Sequence, residues 1–152
     1  MNERLFPISA KWKIEVFRTD GEYESKEFDN LVVDTGMDWL SGYLSSTPGS
    51  AMIHLAVGTG TTAPALTQTA LVGEAARKAM ATRQSSKNCW ITVTTFGGAA
   101  DAVTSVALTE AGVFNATSGQ TMFQRLQGTL ATLGASDFLK LTVETTIGSR
   151  SS

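Results

Sequence analysis

Two stretches of strict alternation constrain this chain more than anything else in it. From Lys11 to Thr19, Trp12, Ile14 and Val16 alternate with Lys11, Lys13 and Glu15; near the other end, Leu139, Leu141 and Val143 alternate with Lys140, Thr142 and Glu144. A period of two belongs to extended backbone, whose successive side chains point to opposite faces. One apolar and one polar face means a sheet with a buried side and a wet side, which is an antiparallel arrangement.

The first of these strands leads into Asp20-Gly21, a turn pair tolerant of positive φ, and then into a second extended segment, Glu22 to Phe28. This predicts a hairpin whose second arm is too polar for a central strand and belongs at an edge. After Leu31-Val32-Val33 the period changes: Met37, Leu40, Tyr43 and Leu44 fall at helical spacing. Thr35 and Asp38 stand three apart in a weak variant of the capping box, so a helix is expected over Met37–Ser45, ended by the turn formers of Ser46–Ser50. Further strands are expected at Met52–Val57, Arg77–Arg83, Trp90–Phe96, Val103–Leu108, Met122–Gln127 and Phe138–Thr146. About eight strands and one helix predict a mostly β fold, an antiparallel β-sandwich or flattened barrel with a short α-helix at about 37–45. A length of 152 residues fits a single domain, 1–152, with short flexible arms at its Ser- and Gly-rich ends.

Charge narrows the function classes. Twelve basic residues against fourteen acidic ones leave a net charge of -2, without the clustered Lys and Arg that displace phosphate counterions, so no nucleic-acid partner is expected. No stretch approaches the roughly 20 apolar residues of a membrane helix, and no membrane partner is expected. The N-terminal MNERLFPISAKWK has charges at both ends and lacks the apolar centre of a secretion signal. The lone Cys89 forms no internal disulfide.

Gly58-Thr59-Gly60-Thr61-Thr62 follows a predicted strand, as a phosphate-binding loop does, but Pro64 comes soon after and no Lys occurs before Lys78; the glycines read instead as a tight surface turn. His54 is the only histidine and, with Cys89, cannot make a multi-histidine metal site; set among Met52, Ile53, Leu55 and Ala56, it reads as a packed strand residue. None of the serines sits in the Gly-x-Ser-x-Gly turn of a nucleophile. Glu74, Asp101 and Glu110 are the acids in the middle of the chain available for paired-carboxylate hydrolysis. Glu110, before Ala111-Gly112-Val113-Phe114 at an apparent strand end, reads better as a structural carboxylate holding turn amides, with Arg77 or Arg125 as partner. Trp12, Trp39, Trp90 and the seven Phe fit apolar faces, though an exposed Tyr23 or Trp39 would favour sugar stacking. No catalytic, cofactor-binding or metal-binding residue is assigned, and no cofactor is expected.

Three ordered segments carry a resemblance: Asn30-Leu31-Val32-Val33-Asp34-Thr35-Gly36-Met37-Asp38-Trp39-Leu40, HLAVGTGTTAPALTQTAL from His54 to Leu71, and EAGVFNATSGQTMFQR from Glu110 to Arg125. Together they resemble a group of small bacteriophage virion structural proteins related in pattern to the collar-proximal domains of tail fibres. The resemblance implies a non-enzymatic particle component made in the host bacterial cytoplasm, self-associating as a homotrimer. Its other partners would be virion proteins of the tail, collar or major capsid. A capsid cement protein clamping neighbouring capsomers is the alternative, and a carbohydrate-binding module is the alternative from another class.

Overall fold

The computed structural model describes residues 8–45, 49–119 and 121–148. The expected turn residues Ser46–Pro48 and the outer parts of both terminal arms lie outside these. Two five-stranded antiparallel sheets face each other across one core, making a β-sandwich with a single helix. The strands are β1 (Ile8–Phe17), β2 (Tyr23–Asp29), β3 (Leu31–Val32), β4 (His54–Gly58), β5 (Glu74–Ala79), β6 (Thr82–Ser86), β7 (Cys89–Gly97), β8 (Ala107–Phe114), β9 (Met122–Thr132) and β10 (Phe138–Ile147); the helix is α1 (Asp34–Leu44). One sheet runs β2-β1-β10-β7-β6 and the other β3-β9-β8-β4-β5.

The two alternating stretches become the paired strands at the middle of the first sheet, with Trp12 opposite Val143 and Ile14 opposite Leu141. Their apolar faces, Ala10, Trp12, Ile14, Val16, Leu139, Leu141 and Val143, are buried against Leu55, Val57, Val113, Leu126 and Leu130 of the other sheet. On the wet face Glu15 collects Lys13 (3.3 Å), Lys140 (3.2 Å) and the Tyr23 hydroxyl (2.8 Å). The hairpin forms where Asp20-Gly21 predicts it, with Gly21 at φ +89 and β2 at the sheet edge. Between β2 and β3 the chain passes from one sheet to the other at Asn30. With its amide oriented to satisfy both ends, Asn30 accepts from Trp12 Nε1 (2.9 Å) and donates to the Ala10 carbonyl (3.2 Å), giving the buried indole its partner.

Several expected boundaries are corrected. Arg77–Arg83 is not one strand: the chain changes sheets at Met80-Ala81, where the Met80 N–H donates to the Ile53 carbonyl and the Ala81 N–H to the Val93 carbonyl. Val103–Leu108 is largely a loop, held by hydrogen bonds from the Val103 N–H to Gly98 and the Ser105 N–H to Leu133, and the strand is Ala107–Phe114. The helix starts at Asp34 rather than Met37, and the Thr35–Asp38 capping box does not form, because the Thr35 hydroxyl donates to the Met122 carbonyl instead. That bond and Gly36 seat α1 directly on β9: a Cβ at Gly36 would clash with the Phe123 carbonyl oxygen.

Candidate functional site

Glu110 and Arg125 are diagonal neighbours on the paired strands β8 and β9, where Arg125 stands opposite Gly112, and neither is exposed to solvent. Both face the long connection between β4 and β5. Glu110 Oε2 accepts from Arg125 Nε at 3.0 Å, and Arg125 Nη2 approaches the same oxygen to 2.8 Å. The backbone completes the shell: Gly60 and Gly73 donate to Oε1 (2.9 and 2.6 Å) and Val72 to Oε2 (3.0 Å). Burial pushes the Glu110 carboxyl up, but the Gly73 and Val72 amides, Arg125 and the Gly60 amide outweigh it and hold the group below its ordinary value. Arg125 Nη1 in turn donates to the Thr62 carbonyl (2.9 Å) and the Gln68 side chain (3.0 Å).

This arrangement corrects two expectations. Gly58 and Gly60 are buried and do not form an exposed turn; a Cβ at Gly60 would stand 2.6 Å from the Glu110 carboxylate. The loop with phosphate-loop character thus presents an amide to an anion, and the anion is the chain's own Glu110. Glu110 sits inside β8, not at a strand end, and pins the loops around Gly60 and Gly73 rather than a turn at Ala111-Gly112. Arg125 is its partner; Arg77 instead makes a two-pronged pair with Glu74 (2.9 and 2.6 Å) and stacks on Phe114 at 3.7 Å.

The remaining acids and nucleophile candidates are held in separate local contacts. Asp101 Oδ2 accepts from Lys78 Nζ (3.0 Å) and the Gly97 N–H (2.7 Å). His54 is buried in the middle of its sheet, between Ala79 on β5 and Phe114 on β8; burial and the nearby Arg77 lower its pKa, favouring neutral imidazole. Cys89 is half-buried opposite Thr146, and burial pushes its thiol up, away from the reactive thiolate. Among the described residues no group of three His, Cys, Asp or Glu is placed to hold a metal, and no helix is long and apolar enough to cross a membrane.

The open apolar surface lies elsewhere, around α1. Trp39, Leu40 and Tyr43 from the helix, Met52 and Ile53 from the chain entering β4, Trp90 of β7, Phe123 of β9 and Ile147 of β10 line a cleft of about 570 Å³, with Arg83, Gln84 and Ser85 of the edge strand β6 along its rim. Trp39 and Trp90 meet the Phe123 ring edge-on at 5.9 and 6.1 Å, and Tyr43 stacks beside Trp39 at 5.3 Å. The spacing of Met37, Leu40, Tyr43 and Leu44 predicts a packed helix face, yet Met37 is 44%, Tyr43 52% and Leu44 77% exposed. Only Gly36 of the helix is buried, because the close backbone approach there turns much of the apolar stripe outward. Helical spacing marks the stripe in the sequence but carries no sign of which way it faces. Phe123, the floor of the cleft, had no signal beyond its place in a β pattern.

No protein-family model matches this chain, and no curated protein or solved structure is significantly similar to it.

Proposed function

We propose that the chain is a non-enzymatic bacteriophage virion structural protein that self-associates as a homotrimer and docks on a symmetric particle as a tail, collar or fibre-associated component. The apolar surface around α1 carries this reading: a helix stripe and an adjoining aromatic cleft, both open to solvent, are chemistry suited to a protein partner. The resemblance of Asn30–Leu40, His54–Leu71 and Glu110–Arg125 to phage virion proteins supplies the kind of particle. The internal commitment of Glu110, Arg125, Glu74 and Asp101 fits the same role, since their bonds hold loops in place on a rigid body.

A carbohydrate-binding module draws support from the Trp39–Tyr43 pair. The rest of the cleft favours an apolar peptide: Leu40, Met52, Ile53 and Ile147 offer methyl and thioether surface, whereas sugar recognition needs polar groups converging on an aromatic face. The test is an antibody raised against the chain and applied to virions purified from the source culture. Label at one vertex supports a tail or collar position, label over the whole head the capsid cement alternative, and virions free of label overturn the proposal.

A further inference from the structure

A polar pocket of about 530 Å³ opens beside α1 and shares Trp39 alone with the aromatic cleft. We propose that this pocket binds a hexopyranose, free or as the end unit of a glycan. The inference goes beyond the assembly reading and does not rest on it, because every polar group it uses belongs to one chain and lies off the apolar stripe of the helix.

Helical spacing sets one wall. Thr35, Asp38 and Gly42 stand three and four residues apart, on a stripe separate from the apolar Met37, Leu40 and Leu44. Asp38 is exposed there and has no hydrogen-bond or ion-pair partner among the described residues. Asn115 and Thr121, at the two ends of the β8–β9 connection, form another wall. The Thr121 N–H donates to Asn115 Oδ1 at 2.9 Å, which fixes the amide group and leaves Nδ2 as its open end. Asn115 is only 8% exposed, and its Nδ2 donates to no group among the described residues. A donor so far withdrawn from water costs free energy until an acceptor meets it. Trp39 stands beside these groups as a fixed panel: its Nε1 donates to the Ser50 carbonyl at 3.0 Å, and a Cβ at Gly49 would come within 3.2 Å of its Cδ1.

The mixture of donors and acceptors selects the ligand class. A cation satisfies the Asp38 carboxylate but meets the Asn115 NH2 with the wrong sign, and an anion reverses the conflict. A hydroxyl both donates and accepts. A ring bearing several hydroxyls therefore answers both groups at once, adjacent hydroxyls donating to the Asp38 oxygens while another accepts from Asn115 Nδ2. Thr35 adds an acceptor, since its own proton goes to the Met122 carbonyl at 2.8 Å. The pocket volume falls within the roughly 300–1,000 Å³ of small-molecule sites, and Trp39 supplies an aromatic surface for the C–H side of a sugar ring.

The experiment is a nuclear magnetic resonance titration of the isotope-labelled full chain with glucose, galactose, mannose, N-acetylglucosamine and their methyl glycosides. It follows the Asn115 side-chain amide and the backbone N–H signals of Asp38 and Gly42. A saturable shift of these signals by at least one sugar is expected. Asn115→Asp keeps an oxygen for the Thr121 N–H but removes the donor, and Asp38→Asn changes an exposed group; each is expected to weaken binding about tenfold or more. Binding of methyl glycosides supports a site for glycan ends, and binding of free sugars alone supports a monosaccharide site. No saturable shift with any of them up to about 50 mM, enough to reveal a millimolar Kd, would overturn the inference. So would binding that either folded variant leaves unchanged, or shifts confined to Trp90 and Ile147 of the apolar cleft.

Discussion

Glu110 and Arg125 show how much structure one buried pair organises. Replacing Glu110 with Gln leaves the Arg125 guanidinium buried without its counter-charge, and breaking such a pair costs about 3–5 kcal/mol. Chemical denaturation of Glu110→Gln is expected to show a loss of that order, with Glu110→Gln/Arg125→Met recovering part of it. Acid works in the same direction. Asp137 accepts from the Gly134 and Thr19 amides and pairs with Arg18, which lowers its carboxyl to about 2, and Glu110 too is held below its ordinary value. A carboxyl whose folded pKa lies below its unfolded one binds protons more readily in the unfolded chain, so its contribution is complete above the unfolded value and lost as pH falls through the folded one. The urea midpoint is therefore expected to be flat near neutrality and to fall from about pH 4.5 towards about pH 2. Thr94 makes the opposite case: its hydroxyl is buried with no protein partner, so Thr94→Val, which keeps the shape, is expected to raise stability by about 1 kcal/mol. The sequence points to Glu110 as structural and offers Arg77 or Arg125 as its partner, without separating the two. It could not show that the Gly60 and Gly73 loops supply the amides, because that meeting joins residues 50 and 37 positions from Glu110.

At the scale of elements, alternation was legible wherever a strand has one wet face. β1 and β10 follow it, and there Leu141→Asp buries an unpaired charge while Thr142→Asp points to the outer face beside Lys13. Thermal melts are expected to show Leu141→Asp unfolded or aggregated, and Thr142→Asp within about 1 kcal/mol of the parent. β8 defeated the same logic. Residues 110–114 are all buried because the core lies on one side and the loop between β4 and β5 on the other, so its pattern does not alternate. The corner at Met80-Ala81 was hidden for a different reason: neither Gly nor Pro marks the change of sheet. The helix was legible from its period, but its seat on β9 depends on Gly36, and Gly36→Ala is expected to cost about 1–3 kcal/mol as α1 is forced off the Phe123 carbonyl.

The whole molecule joins a two-sheet body stabilised from within to an apolar surface around α1 that is left open. The outline of the sandwich was readable from turn spacing and alternation. The open face was not, since apolar residues at helical spacing look alike whether they cover a core or await a partner; only the exposure of Tyr43 and Leu44 separates the two. Closed assemblies repeat one interface around an axis, and an interface built from Trp39, Tyr43 and Leu44 draws on apolar burial that salt does not screen. Sedimentation velocity of the full chain over a range of concentration, at low and high salt, measures this most directly. The expected result is a trimer that persists in high salt and that Tyr43→Asp dissociates to folded monomer, whereas a parent chain that stays monomeric at every concentration and salt would contradict the trimer proposal.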